Sequence, residues 1–581
     1  MSADIEELQP AARLLSLFPK VVAHLRTRHA ARRLTLVMGA GVSSGLALPP
    51  WTKLVELIAR HPAVRGTELI VGNNPAENTE RLYQHFCDSY KAGLSQQQSA
   101  VWRERTCDAK WKDIVRTCLY APIIYPDHVP ENLTDQDCRE IELRLNEAIP
   151  RHPYLGSVYQ IVREAPYTIT YNFDDVMERL ISISLTQRER TAEGRGYETF
   201  VSPAASSRRR NARIYHPNGF LPLNKLETSS DAVALRESDL IGQLLPKHEL
   251  TTSFLRAHIR THTTLLVGMS FSDLTQRVLY QENREHLPGN IHYHLDFQKP
   301  EESARRRAQS RQAARELAKA NFKALGVLSV PLFADEFGPF FQLLTMDDEH
   351  LIDLASEHDV PMIYRYYLVG APGSGKSSVL THLNSLVTHD EWPDPRPNIL
   401  GRAPETLNEE ETRFVNGWLN RQFRMKNRRL LRAEIGIHVV DRSPLDTLTY
   451  QPPAMRHERA RELKRELRNP VASGHVFRFK GDDDVLALRL IALHKDLSPD
   501  SIGKLAEATE TLYSGHGVTE IDTRERSLLE VVREVTELIH LHEKQPKNLE
   551  SLLTDACKEP PDGTANDSPA TVPLGSPVDA S

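Results

Sequence analysis

The sequence predicts an α/β protein made of two parallel, helix-covered sheets. Three observations carry this. Two glycine-rich segments, GAGVSSG at 39–45 and GAPGSGKS at 370–377, each follow a short apolar run and precede an amphipathic stretch. Other short apolar runs recur between helical patterns, the alternation that builds a parallel sheet. At 581 residues the chain is also too long for one hydrophobic core.

Residues 1–33 carry apolar side chains at helical spacing (Leu14, Leu15, Phe18, Val21, Val22, Leu25), which predicts a leading helix. The run 34–38 is apolar apart from Thr35, as a strand buried on both faces should be, and 51–60 predicts the helix after the loop. Residues 66–150 lack strand signals and read as a mainly helical insertion covering a pocket. Buried strands are expected at 167–171, 212–215, 264–268, 291–295 and 327–331. The charged run 302–320 reads as a helix with a solvated face, so nucleic acid is not indicated. The acidic stretch 347–360 serves as a helical linker between a domain at 1–346 and one at 361–545. The stretch 546–581 is set apart as a disordered tail, because 559–581 has almost no large apolar side chain to offset its ordering entropy.

A formal charge of −6 gives no electrostatic reason for a polyanionic partner. No run approaches the roughly 18 apolar residues that span a bilayer, and the acidic N-terminus is unlike a signal peptide, so a cytoplasmic protein with no membrane partner is expected. The five cysteines form no C-x-x-C pair. Reduced thiols and no zinc are expected.

Glycines between strand and helix let a backbone approach a pyrophosphate at a helix N-terminus, although a tight turn needs them regardless. The loop at 39–45 gains meaning from four later segments that occur in a fixed order: PPW at 49–51, TYNFDD at 170–175, IYHPNG at 214–219 and LLVGMSFSD at 265–273. With these segments, residues 12–345 resemble the sirtuin-like family, and most closely its prokaryotic defence branch, whose members hydrolyse NAD during phage infection. The resemblance implies a Rossmann-like sheet with NAD as substrate. It places Gly39, Ala40, Gly41 and Ser43 along the NAD phosphates and ribose, Asn172 on a ribose hydroxyl or attacking water, Asp174 near the nicotinamide side, and Gly268, Ser270 and Asp273 at the cofactor's other half. Asn218 stands directly before a glycine, where the family carries its catalytic histidine. An amide accepts no proton at neutral pH. If the segment is extended, His216 points to the same face about 7 Å away and is the candidate base.

The second glycine-rich segment satisfies G-x-x-x-x-G-K-[ST] in full. Backbone amides around Gly370, Gly373, Gly375 and Ser378 are expected to cradle phosphates, Lys376 to reach the β and γ phosphates, and the Ser377 hydroxyl to help hold magnesium. Asp441, at the end of the expected buried strand from 437, is the second expected magnesium ligand of a site for ATP or GTP. The Asp-Arg-Ser sequence at 441–443 and the segment IDTRERSLLEVVREV resemble small nucleoside and nucleotide kinases over 361–545. That resemblance implies a lid at the arginine-rich run 454–468, and Glu405, after an expected strand at 398–400, is the positional candidate for a base. Together the two halves imply an NAD-hydrolysing effector controlled by a nucleotide or phage-derived trigger, in a homo-oligomer or with an operon-encoded partner. The alternatives are a nucleotide kinase whose N-terminal half only binds, and a pair of ligand switches.

Overall fold

Thr35 aside, the run 34–38 offers water nothing, and in the computed structural model it is β1 (Leu34–Met38), buried from end to end. The structure describes residues 3–95, 98–185, 196–202, 211–224, 233–244, 249–270, 274–301, 303–401, 407–451, 453–492, 499–543 and 545–558. Two units can be told apart. The first takes the described residues up to Phe18, Arg28–Arg284 and Ile291–His358, and the second takes Pro19–Thr27, Glu285–Asn290 and the described residues from Asp359 on.

In the first unit β1 is joined by β2 (Thr168–Thr170), β3 (Tyr197–Phe200), β4 (Ala212–Tyr215), β5 (Thr263–Val267), β6 (His292–Phe297) and β7 (Val327–Leu332). Their order is β3-β4-β2-β1-β5-β6-β7, and every pair is parallel. From β1 the chain builds outward through β2 on one side, then returns to lay β5 on the other. This reversal opens a crevice at the C-terminal ends of β1 and β5, the usual place for a ligand in such a sheet. The strand β3 has no counterpart in the sequence reading, because Tyr-Glu-Thr-Phe is a half-buried edge strand without an apolar run.

The leading segment is not one helix. Pro10 and Pro19 each begin a new one, giving Ala3–Glu6, Pro10–Leu17 and Pro19–Ala30, since proline suits the first turn and interrupts an interior. The insertion is helical as expected, with Pro75–Ala92, Ala100–Tyr120 and Asp135–Arg151. Its cysteines correct the expectation of reduced thiols: Cys87 and Cys107, buried on two helices that pack together, form a disulfide with Cα atoms 6.1 Å apart. The charged run 302–320 is the helix Ala304–Leu325, capped by Ser303, with Gly326 in the left-handed region after it. Its exception is Arg311, which is fully buried and neutralised by Glu6 and Glu336, each 2.8 Å away. The expected linker is the helix Asp348–Glu357, which buries Leu351 and Ala355.

The second unit holds β8 (Ile363–Gly370), β9 (Val387–His389), β10 (Gly436–Asp441), β11 (His475–Lys480) and β12 (Val518–Asp522), in the order β12-β11-β8-β10-β9, all parallel. The chain is thus an α/β protein with parallel sheets of seven and five strands among the described residues. Three expectations change here. Residues 398–401 form a 3-10 turn, and Glu405 lies outside the described residues. The arginine-rich run forms the helix Arg456–Leu467, whose Arg459, Ala460, Leu463 and Leu467 are buried, so it is a packed wall and not an open lid. Residues 546–558 are not part of a disordered tail: Asn548 caps the helix Leu549–Ala556, and Leu549 and Leu553 enter the core, while 559–581 lie outside the described residues. No helix among the described residues is long and apolar enough to cross a membrane.

Candidate functional site

The two glycine turns at the crevice of the first unit meet backbone to backbone. Gly39 N donates to Val267 O (3.0 Å) and Gly41 N to Gly268 O (2.9 Å). Gly268 has a φ of +65°, and a Cβ there would lie 2.4 Å from Val42 N, while one on Gly41 would lie 2.7 Å from the Gly268 Cα. The glycines are therefore required by their own packing, before any ligand is considered. Beyond Gly39 the loop winds into the 3-10 helix Ala40–Leu46, which buries Ser43 and leaves Gly41 and Ser44 at the surface.

Onto this loop β2 delivers Asn172. Its Nδ2 donates to Gly39 O (3.2 Å) and to Ser43 Oγ (3.2 Å), and Ser43 Oγ donates to Asp174 Oδ2 (3.1 Å). The other carboxylate oxygen of Asp174 accepts from Val176 N (3.1 Å). Burial raises the Asp174 carboxyl to about 6, Asp175 adds to the rise, and the bonds from Val176 and Ser43 and the charge on His216 oppose it. Asn172, Ser43 and Asp174 thus form one connected chain. Asn172 is only partly buried, so one end of that chain is open to solvent at the end of β2.

His216 and Asn218 do not share a strand face. β4 ends at Tyr215, and Gly219 N donates to His216 O (3.1 Å), closing a turn that turns the His216 ring inward. His216 is fully buried; its Nδ1 lies 2.9 Å from Asn172 O and its Nε2 3.0 Å from Glu178 Oε1. Desolvation lowers its pKa, but Glu178, Asn172 O and Asp174 together outweigh this and the net shift is upward. With an acceptor at each nitrogen the imidazolium form is favoured, which leaves no lone pair for a substrate. Asn218 Nδ2 donates to Tyr171 O at 3.5 Å.

Sequence reasoning missed the support beneath these loops. The Tyr120 hydroxyl, at the end of the insertion helix, lies 3.0 Å from Asp175 Oδ1 and 3.1 Å from Leu221 O, and accepts from Asp175 N at 3.1 Å. Asp175 is also gripped by Arg179 (3.0 Å to each oxygen) and by Leu223 N. Asp175 and Arg179 are four apart at a helix start, a signal the sequence does show. Tyr120 carries none.

Residues 166–325 match the SIR2-like domain family. The SIR2-like stretch takes in Asn172, Asp174, His216, Asn218, Gly268 and Ser270, and the glycine loop at 39–45 enters the same crevice from outside it. The match is compatible with NAD-related chemistry. Within it Ser270 is exposed, and Asp273 lies outside the described residues. No curated protein matches the chain.

In the second unit Gly370, Gly373 and Gly375 all have positive φ (143°, 80° and 90°), which wraps the loop around Lys376. Lys376 Nζ donates to Gly370 O and Ala371 O (2.9 Å each) and to Ser374 Oγ (3.2 Å). Burial and the nearby Arg442 lower its ammonium to about 8, against the pull of Asp441, Asp446 and Glu391. Ser377 Oγ donates to Asp441 Oδ2 (2.5 Å), whereas Asp441 Oδ1 is buried with no hydrogen-bond partner among the described residues. An unsatisfied carboxylate oxygen beside a hydroxyl is the donor set a hard divalent cation takes, so these residues fit magnesium. Ser378 is exposed at the helix start.

The next residue, Arg442, holds a φ of +62°, rare for a side chain of its size. Its Nε lies 2.7 Å from Glu391 Oε1, and its Nη1 3.7 Å from Asp446 Oδ2. Burial raises the Asp446 carboxyl to about 6 despite Arg442. Lys426, also absent from the sequence reading, donates to Glu391 O (2.5 Å) and Asp441 O (2.8 Å) and so ties the ends of β9 and β10 together. Between them lies a cavity of about 60 Å³ lined by Pro372, Glu391, Trp392, Arg442, Asp446 and Tyr450.

Proposed function

We propose that the first unit hydrolyses NAD to nicotinamide and ADP-ribose, and that the second binds ATP or GTP with magnesium and regulates this reaction. The observation that carries the reading is Asn172, bonded between Gly39 O and Ser43 Oγ at the switch point of the sheet and inside the SIR2-like match. Loss of nicotinamide gives the ribose carbon oxocarbenium character, which a nearby carboxylate stabilises and a held water captures. Asn172 is suited to holding the water, and Asp174 to supplying the charge. Ser377 and Asp441 would hold magnesium, which neutralises phosphate charge. The resemblance of the motifs over 12–345 to the prokaryotic defence branch supports a setting in which a nucleotide or phage-derived trigger releases hydrolysis. A cytoplasmic homo-oligomer, with or without an operon-encoded partner, fits that setting.

The test follows nicotinamide release from NAD with and without ATP, GTP and infected-cell extract. Wild type is expected to release it under at least one condition, Asn172→Ala to lose on the order of 10²-fold or more, and Lys376→Ala to lose the response to nucleotide. No release under any condition overturns the reading.

A second reading, phosphoryl transfer by the second unit, is favoured by the cavity beside the loop, where Glu391 offers a carboxylate to an acceptor hydroxyl. Labelled phosphate transferred from ATP to a nucleoside or nucleoside monophosphate, and lost in Glu391→Gln, would establish it. Absence of any labelled product across both classes would rule it out.

A further inference from the structure

Hydrolysis of NAD needs a group to take the proton of the attacking water, and most ionisable groups around the crevice are committed elsewhere. Asn218 is an amide. His216 has both ring nitrogens engaged, by Asn172 O and by Glu178. Glu178 is buried beneath it and also accepts from Thr199 Oγ1 (2.8 Å). Asp175 is held by Arg179, by the Tyr120 hydroxyl and by Leu223 N. Among the described residues the carboxylate that connects to the crevice is Asp174, and it does so through one atom, Ser43 Oγ.

Resting on the NAD-hydrolase reading, we propose that Asp174 is the proton acceptor of this site and works through Ser43, whose hydroxyl relays the proton from a water held by Asn172. Asp174 and Ser43 are 6% and 2% exposed, so the carboxylate does not meet bulk water. The hydroxyl does meet the Asn172 amide (3.2 Å) and the carboxylate (3.1 Å), one on each side. In the step, the bond between ribose C1′ and the pyridinium nitrogen breaks and its electron pair stays with nicotinamide. The water oxygen bonds to C1′, the water proton passes to Ser43 Oγ, and the Ser43 proton passes to Asp174 Oδ2. NAD and water give nicotinamide, ADP-ribose and one proton, with no other reactant.

The groups facing Asp174 set the pH at which this works. Asp175, bonded to Arg179 and Tyr120, adds to the rise in its pKa, and His216, paired with Glu178, opposes it. Their balance, dominated by burial, leaves the Asp174 carboxyl at about 6. It is ionised and able to accept a proton at neutral pH, and is blocked by its own proton below 6.

The experiment is the pH dependence of nicotinamide release from pH 4.5 to 8.5 for the full chain, with NAD binding measured in parallel. Wild-type kcat is expected to rise through an acid limb near pH 6. Ser43→Ala is expected to lower kcat on the order of 10²-fold and flatten that limb while KM for NAD changes little. Ser43→Cys, which keeps a transferable proton of different acidity, is expected to move the limb, and either variant decides if the other fails to fold. A limb unchanged in these variants, or one that moves with His216→Gln and not with Ser43, overturns the relay alone. NAD binding without release by wild type, with ATP, GTP and infected-cell extract each present and absent, overturns the relay together with the hydrolase reading.

Discussion

A Cβ at Gly268 would stand 2.4 Å from Val42 N, inside any real contact, and the residue's φ of +65° already disfavours a side chain. Gly268→Ala is therefore expected to destabilise the first unit by about 2 to 4 kcal/mol, from backbone strain and overpacking together. Gly72 is the control: its φ is +73°, but nothing lies within 4 Å of its missing Cβ, so Gly72→Ala should cost only about 1 kcal/mol. Urea denaturation of both variants measures the difference, and equal costs would show that the two turns do not pack as described. The same scale explains which site residues were legible. Ser43, Asn172 and Asp174 could be read as neighbours, because parallel pairing brings the segments that follow β1 and β2 to one edge. The role of His216 was not, because reading 214–218 as extended assumed a strand where the chain turns at Pro217 and Asn218. Alternation along a strand says nothing once the strand has ended.

Among elements, the helix Ala100–Tyr120 does more than cover a pocket. Its last residue holds the loops after β2 and β4 at once, through one hydroxyl. Tyr120→Phe keeps the buried ring but strands Asp175 N without its acceptor, which should cost about 1 to 3 kcal/mol. Thermal unfolding of the variant checks this, and an unchanged midpoint would mean that water replaces the hydroxyl. The partnership was invisible in the sequence because Tyr120 and Asp175 are 55 positions apart and nothing around Tyr120 marks it as a partner. β1 and β4 were read with their bounds intact, since each is a short, mostly apolar run, broken only by Thr35 and Arg213, with turn residues soon after it (Gly39; Pro217 to Gly219), which suits a strand. β3 was missed for the converse reason, because a half-buried edge strand tolerates the mixed residues of Tyr197–Phe200. The arginines of 456–467 pointed to a lid only while their partners were unknown. Arg459 is in fact bonded to Asn420 and Glu462 (2.7 Å each).

At the scale of the whole chain, the second unit is not a continuous stretch of sequence. It includes Pro19–Thr27 and Glu285–Asn290, where Lys20 Nζ donates to Ile539 O and His542 O (2.8 Å each), His24 Nε2 lies 2.6 Å from Ser385 O, and Ser385 Oγ donates to Gly289 O (2.7 Å). A fragment of 361–581, cut where the sequence suggested a boundary, lacks both segments. It is expected to unfold at a lower temperature than the same unit in the full chain, by calorimetry, and matching transitions would show that the segments contribute nothing. Composition could not reveal this, since a boundary drawn from linkers assumes that neighbours in sequence are neighbours in space. The arrangement also sets a timetable for synthesis. Residues 19–27 leave the ribosome roughly 330 positions ahead of the sheet that receives them. At about 5 to 20 residues per second they wait on the order of 20 to 60 s. During that interval Val21, Val22 and Leu25, buried in the finished protein, are exposed ligands for a chaperone.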